Sequence, residues 1–313
     1  MQKEHKCAPV LIPTLCRNTH LKRCVESLKS NGLAKDTPLY IALDYPLNES
    51  HRAGYNAIDK FLDDLDGFAS ITIIRRNENF GAGKNIADAI KMIFEKYDRF
   101  IFSEDDNEFA PNFLEYINEG LDRFESQKEV FAVCGYNYPV KMPCDYNLNH
   151  FYARMFSAWG YGTWRDRHNQ YRISCNFDYV KSVLNRLTDV RKLNSYSEMP
   201  IRHSLNMIRN KHLTGDTIIC LKLITENLYC VFPTISKVRN HGYDGSGIHC
   251  GVNEIYHTQP IDDKHTFAYD ETSIQEDRNI NLLIKCYFAF SFPRRIKLLL
   301  LYLLYRINLL KYF

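Results

Sequence analysis

Between residues 8 and 136, short apolar runs rich in branched side chains alternate with segments whose apolar residues recur every three or four positions. The runs are APVLIPTL (8–15), PLYIALDY (38–45), SITIIRR (70–76), RFIFSEDD (99–106) and EVFAVCGY (129–136). Each is long enough for a buried strand and too short for an ordinary helix. Between them, Leu21, Val25 and Leu28 share one helical face, with Thr19 as the expected cap and Asn31-Gly32 as the stop. Ala57, Ile58, Phe61, Leu62 and Leu65 form a second stripe. Ile86, Ile90, Ile93, Phe94 and Tyr97 form a third, in a helix over 82–97. Pro111 suits the first position of a helix over 111–124. Strands alternating with helices of this length predict an α/β fold: a Rossmann-like, mostly parallel sheet flanked by helices. Ligands of such sheets bind outside the carboxyl ends of the strands. Asp44, residues 75–79 and Asp105-Asp106 all fall at those ends.

Beyond residue 140 the pattern is less regular. RMFSAWGYGTWRDR (154–167) mixes a strand, a glycine turn and aromatics. Helices are expected over 177–192 and 215–228, and a strand followed by a glycine loop over 232–247. Residues 281–313 are apolar and basic without one acidic residue. Their last helix, 294–313, is interrupted by Lys297, Arg306 and Lys311, and its uncharged run is far shorter than the roughly 20 residues of a membrane span. Either an in-plane amphipathic anchor or a buried terminal helix satisfies that pattern; the cationic flanks favour contact with anionic lipid.

Composition removes several function classes. A net charge of +3 is too small for a basic nucleic-acid surface, so no nucleic-acid partner is expected. The ten cysteines include no CxxC pair, which removes zinc-type spacing. The polar start MQKEHKCAPV lacks the pattern of a signal peptide. The cysteines then read as reduced thiols, and the chain as cytoplasmic, peripheral at the inner face of the plasma membrane if its C-terminus touches lipid.

The sharpest chemical signal is SEDDNEFAPNFLEY (103–116), in which a strand delivers Glu104, Asp105 and Asp106 to its end. Clustered carboxylates repel one another unless a cation or a donor stabilises them. Hard oxygen ligands suit Mn²⁺ or Mg²⁺, with a substrate diphosphate completing the shell. The plainer alternative is a solvated acidic turn. The context resembles the GT-A glycosyltransferases, in particular the N-acetylglucosaminyltransferase I type and related bacterial family 2-like enzymes. The likeness is carried by EDDNEFAPNFLEY, by RRNENFGAGKNIADAI (75–90) upstream, and more loosely by TGDTIICLKL (214–223) and PTISKVRNHGYDGSGIHC (233–250).

That resemblance implies a GT-A domain over residues 1–280, with its nucleotide-sugar half at 1–137 and its acceptor half at 138–280, followed by the amphipathic extension 281–313. It implies a metal-dependent, inverting transfer from a nucleotide-sugar donor, UDP-linked, to a hydroxyl on a carbohydrate or lipid-linked glycan. Asp106 would be the direct metal ligand, and Glu104 and Asp105 would position ribose and sugar hydroxyls. Asp44 would bind the uracil edge or the ribose; otherwise it is a turn aspartate before Pro46. Arg75 or Arg76 would lie against base or diphosphate. Asn79, Gly81 and Lys84 open the long helix, whose N-terminus favours anions. Asp216 would be the catalytic base, or else a helix N-cap, with Glu198 as the fallback. The tryptophans that surround this acid in the resembled enzymes are missing here. Trp159 would line the acceptor pocket or pack in the core, and Arg165 would meet an anionic acceptor or pair with Asp166. The loop 241–250 would fold over the diphosphate, with Ser246 donating a hydrogen bond and His249 reaching metal or phosphate.

Two rival classes remain. A sugar nucleotidyltransferase normally shows a glycine-rich basic segment after the first strand, where this chain reads IPTLCRNTH. A non-catalytic nucleotide-sugar-binding protein would lack the metal carboxylate or the base, and candidates for both are present. A dinucleotide oxidoreductase is disfavoured because no GxGxxG follows the first strand.

Overall fold

The computed structural model describes residues 7–245 and 251–310. β1 (Val10–Thr14) leads into α1 (Asn18–Lys29), β2 (Pro38–Leu43) into α2 (Arg52–Asp63), and β3 (Ser70–Arg75) into α3 (Gly81–Phe94). β4 (Arg99–Phe102) and β5 (Asn107–Phe109) bracket the acidic triplet, and α4 (Phe113–Arg123) and β6 (Val130–Cys134) follow. The second half runs β7 (His150–Ala153), β8 (Tyr161–Trp164), α5 (Arg165–Ser174), α6 (Phe177–Asn185), α7 (Leu187–Tyr196), α8 (Met199–Asn210) and α9 (Gly215–Thr225). It continues through β9 (Tyr229–Pro233), β10 (Val238–Asn240) and the single turn α10 (Ile255–Thr258) to α11 (Arg278–Tyr287) and α12 (Phe292–Arg306).

Among the described residues, eight strands form one sheet in the order β3-β2-β1-β4-β8-β6-β9-β7, and β10 pairs with β5 in a separate ribbon. β3, β2, β1 and β4 are mutually parallel, as are β6 and β9. β8 runs antiparallel between β4 and β6, and β7 antiparallel to β9. The result is the expected α/β architecture, a mostly parallel sheet with helices on its faces. Burial on both faces explains why β1, β2 and β6 read as continuous apolar runs. Alternate residues of β1 serve opposite cores: Val10 and Ile12 pack with Leu21, Val25 and Leu28 of α1, while Leu11 packs with Ala89, Ile90 and Ile93 of α3. A third core joins α6, α8, α9 and α12. α9 carries apolar residues on two sides because it serves two cores, Ile219 and Leu223 on the sheet side, Ile218 and Leu221 on the helical side.

Several boundaries differ from the sequence reading. Pro111 sits in the turn ahead of α4, whose N-cap is Asn112. Thr19 lies inside α1 rather than capping it, since Arg17 holds the cap position. The expected helix over 177–192 breaks at Arg186, whose backbone is extended (φ −90°, ψ 109°), giving α6 and α7. β7, α5 and α8 were not legible from periodicity.

The residues entering β10 are fixed by a buried ion pair. Lys237, 1% exposed, bonds Asp262, which also accepts from Asn112 Nδ2 at 3.1 Å. Removing one partner leaves a buried charge unpaired, which costs roughly 3–5 kcal/mol, whereas replacing both by apolar residues is far milder. Asp262→Ala is therefore expected to lower the unfolding free energy by that amount, read as a lower urea midpoint at unchanged m-value, and the Lys237→Met, Asp262→Leu double variant to recover most of it. An Asp262→Ala protein as stable as wild type would refute this.

Candidate active site

The parallel pairing of β1 with β4, Leu11 opposite Phe102, sets the loops beyond their carboxyl ends side by side. Glu104, Asp105 and Asp106 occupy the tight turn from β4 into β5. Thr14, the last residue of β1, donates its hydroxyl to Asp105 Oδ2 at 2.8 Å. Arg17, just beyond, places one guanidinium nitrogen on Asp105 Oδ1 and another 2.9 Å from Asp106 Oδ2. From the other side, β10 pairs antiparallel with β5, Asn240 opposite Asn107. That register brings Asn240 Nδ2 to Asp106 Oδ1 at 2.7 Å and lets the His241 backbone N–H donate to the Asp106 carbonyl at 2.8 Å. Gly242 follows against the Asp106 carboxylate, at a spot where a Cβ would overlap Oδ2, so only glycine permits the approach. His241 Nε2 lies 2.6 Å from Glu108.

The site is electrostatically under-compensated. Burial, then repulsion by Asp106, Asp216 and Asp105, pushes the Glu104 carboxyl up to about 8, with Arg17 pulling the other way. Burial also raises Asp105, against the lowering influence of Arg17. Burial alone would lower Arg17, but Asp105 and Asp106 outweigh it and hold the guanidinium above its ordinary value. One cation thus serves a cluster of acids, and it bridges two carboxylates where a divalent ion would be most stabilising. Among the described residues, no group of three or more His, Cys, Asp or Glu side chains could hold a metal by itself. The donor chemistry fits a hard cation held by the Asp106 carboxylate with the remaining ligands supplied by substrate oxygens.

At the neighbouring strand ends, Asp44 is buried and its Oδ1 accepts from the backbone N–H groups of Tyr45 (2.9 Å) and Phe80 (2.8 Å). Asn79 Nδ2 donates to the Tyr45 carbonyl at 2.6 Å. These bonds tie the loop after β2 to the start of α3, where Gly81 has φ +69°, a left-handed conformation that favours glycine. Arg76 reaches Asn85 Oδ1 (2.9 Å) and Asp88 (2.6 Å), and Arg76 and Lys84 both lie over the Phe80 ring. Arg75 leaves this group: it is bound by Asp59 and Asp63 of α2, both at 2.7 Å. Of the two arginines considered, Arg76 is the one joined to the α3 entrance.

On the second half, Asp216 stands in the first turn of α9, whose N-cap position is held by Thr214. The residue is exposed, yet protein crowds it enough to push its carboxyl up to about 6. Its charge acts on Glu104, Tyr138 and Tyr161. Glu198 is committed to Arg295, 2.8 Å away in α12. Trp159 precedes β8 at the end of the sheet that carries the acids, since Tyr161 pairs with Phe102. It packs edge-on against Tyr136, Tyr243 and Tyr256. The Tyr136 hydroxyl, fully buried beneath them, has no hydrogen-bond partner among the described residues. Arg165 is elsewhere. It follows Trp164, which pairs with Arg99 at the amino end of β4, and it binds the carbonyls of Phe94 and Tyr97 and the Asp98 carboxylate (3.1 Å), not Asp166. Ser246 and His249 lie outside the described residues.

Two clefts flank these features. The larger, about 330 Å³, lies between α3 and α5 around Arg165 and contains none of the acids. The smaller, about 220 Å³, is lined by Thr19, His20, Arg23, His241, Asp244 and His257 and adjoins the acids through His241. Its chemistry, not its size, marks it as the one beside the site. Sequence reasoning missed Arg17, Asn240 and Gly242 as site residues. Arg17 had a usable signal, because the loop after β1 must face the loop after any strand parallel to it.

Residues 1–144, a little under half of the chain, match the family model described as the GNT-I family. Comparison with curated proteins gave no match. Among solved structures, a mannosyltransferase, PcManGT of Pyrobaculum calidifontis in complex with GDP-Man and Mn²⁺, shares 13% identity at a TM-score of 0.37, over 54% of this chain and 52% of that one. TarS of S. aureus shares 11% identity at a TM-score of 0.36, over 53% of this chain and 29% of that one. The chain thus spans about half or less of those structures, and likeness at this level decides neither donor nor acceptor. Over residues 1–144, which carry the parallel half of its α/β sheet, the chain resembles the GNT-I family of glycosyltransferases.

Proposed function

We propose that this protein is a sugar-nucleotide-dependent glycosyltransferase that uses a UDP-linked donor with Mn²⁺ or Mg²⁺ and a hydroxyl on a carbohydrate or lipid-linked glycan as acceptor. The carrying observation is the gathering of Glu104, Asp105 and Asp106 in one turn, with Arg17 the cation bridging Asp105 and Asp106. Asp106 would hold the divalent ion, which when bound neutralises charge growing on the departing diphosphate. Arg17 would meet that diphosphate from the β1 side. Asp44, with both of its backbone bonds on Oδ1, keeps Oδ2 for the ribose or the uracil edge. Arg76 and Lys84, stacked on Phe80, form the cationic wall beside it.

The transfer itself is a single displacement. The acceptor oxygen bonds to the anomeric carbon, the bond from that carbon to the diphosphate oxygen breaks, and the acceptor proton passes to Asp216, which inverts the centre. Trp159 with Tyr243 and Tyr256 offers an aromatic wall of the kind sugar rings stack on. A cytoplasmic place of action belongs to the same reading.

A nucleotide-sugar thermal-shift panel, with and without Mn²⁺, followed by product analysis, tests this. The true donor raises Tm by mass action only when the metal is present, and then yields a glycosylated product and free nucleoside diphosphate. Metal-independent stabilisation by every nucleotide sugar, or release of pyrophosphate instead, would overturn it.

A further inference from the structure

α12 carries two apolar faces. Leu298, Leu301, Tyr302 and Tyr305 pack on the helical core. On the opposite side Phe292, Ile296, Leu299, Leu300, Leu303 and Ile307 are exposed. With 3.6 residues per turn, these six fall within an arc of about 100° and extend for about 22 Å along the axis. Cations border the stripe, Lys297 on one margin and Arg295 and Arg306 on the other, with Arg295 partly engaged by Glu198 and Arg306 donating to the Asn185 carbonyl at 3.2 Å. The sequence from 281 to 313 holds six Lys and Arg and no Asp or Glu. No helix among the described residues is long and apolar enough to cross a membrane.

We propose that this outer face of α12 docks in the plane of an anionic lipid bilayer. Monomeric proteins rarely expose so continuous an apolar patch without a partner for it. A helix bearing one apolar stripe with basic margins lies in the interface, its aliphatic side chains among the acyl chains and its long cations reaching up to the headgroups. A second copy of the chain is the poorer occupant, because a symmetric contact would bring the basic margins of both copies together without an acid in either segment. A protein groove is also poorer. The stripe is aliphatic along its centre, with its one aromatic residue at the end, whereas protein hot spots favour central aromatic anchors. Anionic lipid answers both the apolar stripe and the charge.

Flotation of the full chain with phosphatidylcholine vesicles and with vesicles also containing phosphatidylglycerol tests the proposal. The wild-type chain is expected to float with the anionic vesicles, and added salt or omission of phosphatidylglycerol to weaken binding about tenfold. Leu299→Glu with Leu303→Glu, at exposed positions, should abolish flotation while near-ultraviolet circular dichroism and the melting transition stay those of wild type. Lys297→Gln with Arg306→Gln should reduce binding to anionic vesicles only. The proposal falls if the wild-type chain does not float, if the Leu299→Glu, Leu303→Glu protein floats as well as wild type, or if light scattering shows a dimer that this pair dissociates. None of these readouts depends on sugar transfer, so a failure here leaves the enzymatic reading intact, and the reverse.

Discussion

Asp106→Asn is expected to lower sugar transfer about a thousandfold and to remove the Mn²⁺-dependent part of donor binding. The magnitude follows from several kcal/mol of charge stabilisation at the leaving diphosphate, each 1.36 kcal/mol being a factor of ten in rate. The substitution keeps shape and an oxygen able to accept from Asn240, whose bond to Asp106 is 2.7 Å. It removes the charge a metal needs and leaves Asp105 to hold Arg17. The variant therefore stays folded, as unchanged far-ultraviolet circular dichroism will show. Donor titration by calorimetry, with and without Mn²⁺, reads the binding side; turnover of the donor identified by the panel reads the rate. Near-wild-type turnover, or a metal-dependent binding step that survives in Asp106→Asn, would place the ion elsewhere.

The second large effect concerns Asp216. If it takes the acceptor proton, kcat/KM must fall as Asp216 becomes protonated. Crowding by the surrounding protein, though the residue keeps an exposed surface, raises its carboxyl to about 6. The base works deprotonated, so the rate is full above that value and declines by a factor of ten per pH unit below it. The titratable groups that feel the Asp216 charge include Glu104 from the acidic turn, Tyr138 beyond β6, Tyr161 of β8, Tyr171 of α5 and Cys220 of α9 itself. Asp216→Asn is expected to cost about 10²- to 10⁴-fold in kcat, to flatten the acid limb and to leave donor affinity unchanged, since its work lies on the acceptor side. An acid limb that persists unchanged in Asp216→Asn would assign the proton to another group, with Glu104 the first alternative.

The two predictions also separate what kinds of residue were readable. Glu104, Asp105 and Asp106 stand together in sequence, at the end of an apolar run, and a parallel sheet directs such ends to one edge. Asp44 and Gly81 were legible for the same reason. Arg75 and Arg76 were not separable: adjacent strand residues point to opposite sides, and which side meets Asp59 and Asp63 depends on where α2 lies. Arg165 was misplaced because nothing local says that β8 runs antiparallel, which carries the residue after Trp164 to the amino end of β4. α6 and α7 were merged because the break at Arg186 involves neither glycine nor proline.

The sequence by itself determined the alternation of strand and helix, the parallel first half, and the position of the acidic turn at a carboxyl edge. Each follows from hydrophobic periodicity and turn chemistry, which are written within ten or fifteen residues of one another. Only the tertiary structure decided that Arg17 neutralises Asp105 across 88 positions, that Asn240 and Gly242 enclose Asp106 across more than 130, and that α12 keeps one apolar face uncovered. Those outcomes depend on strand order and register, and register is set by the packing of whole faces, so no local window of residues contains them.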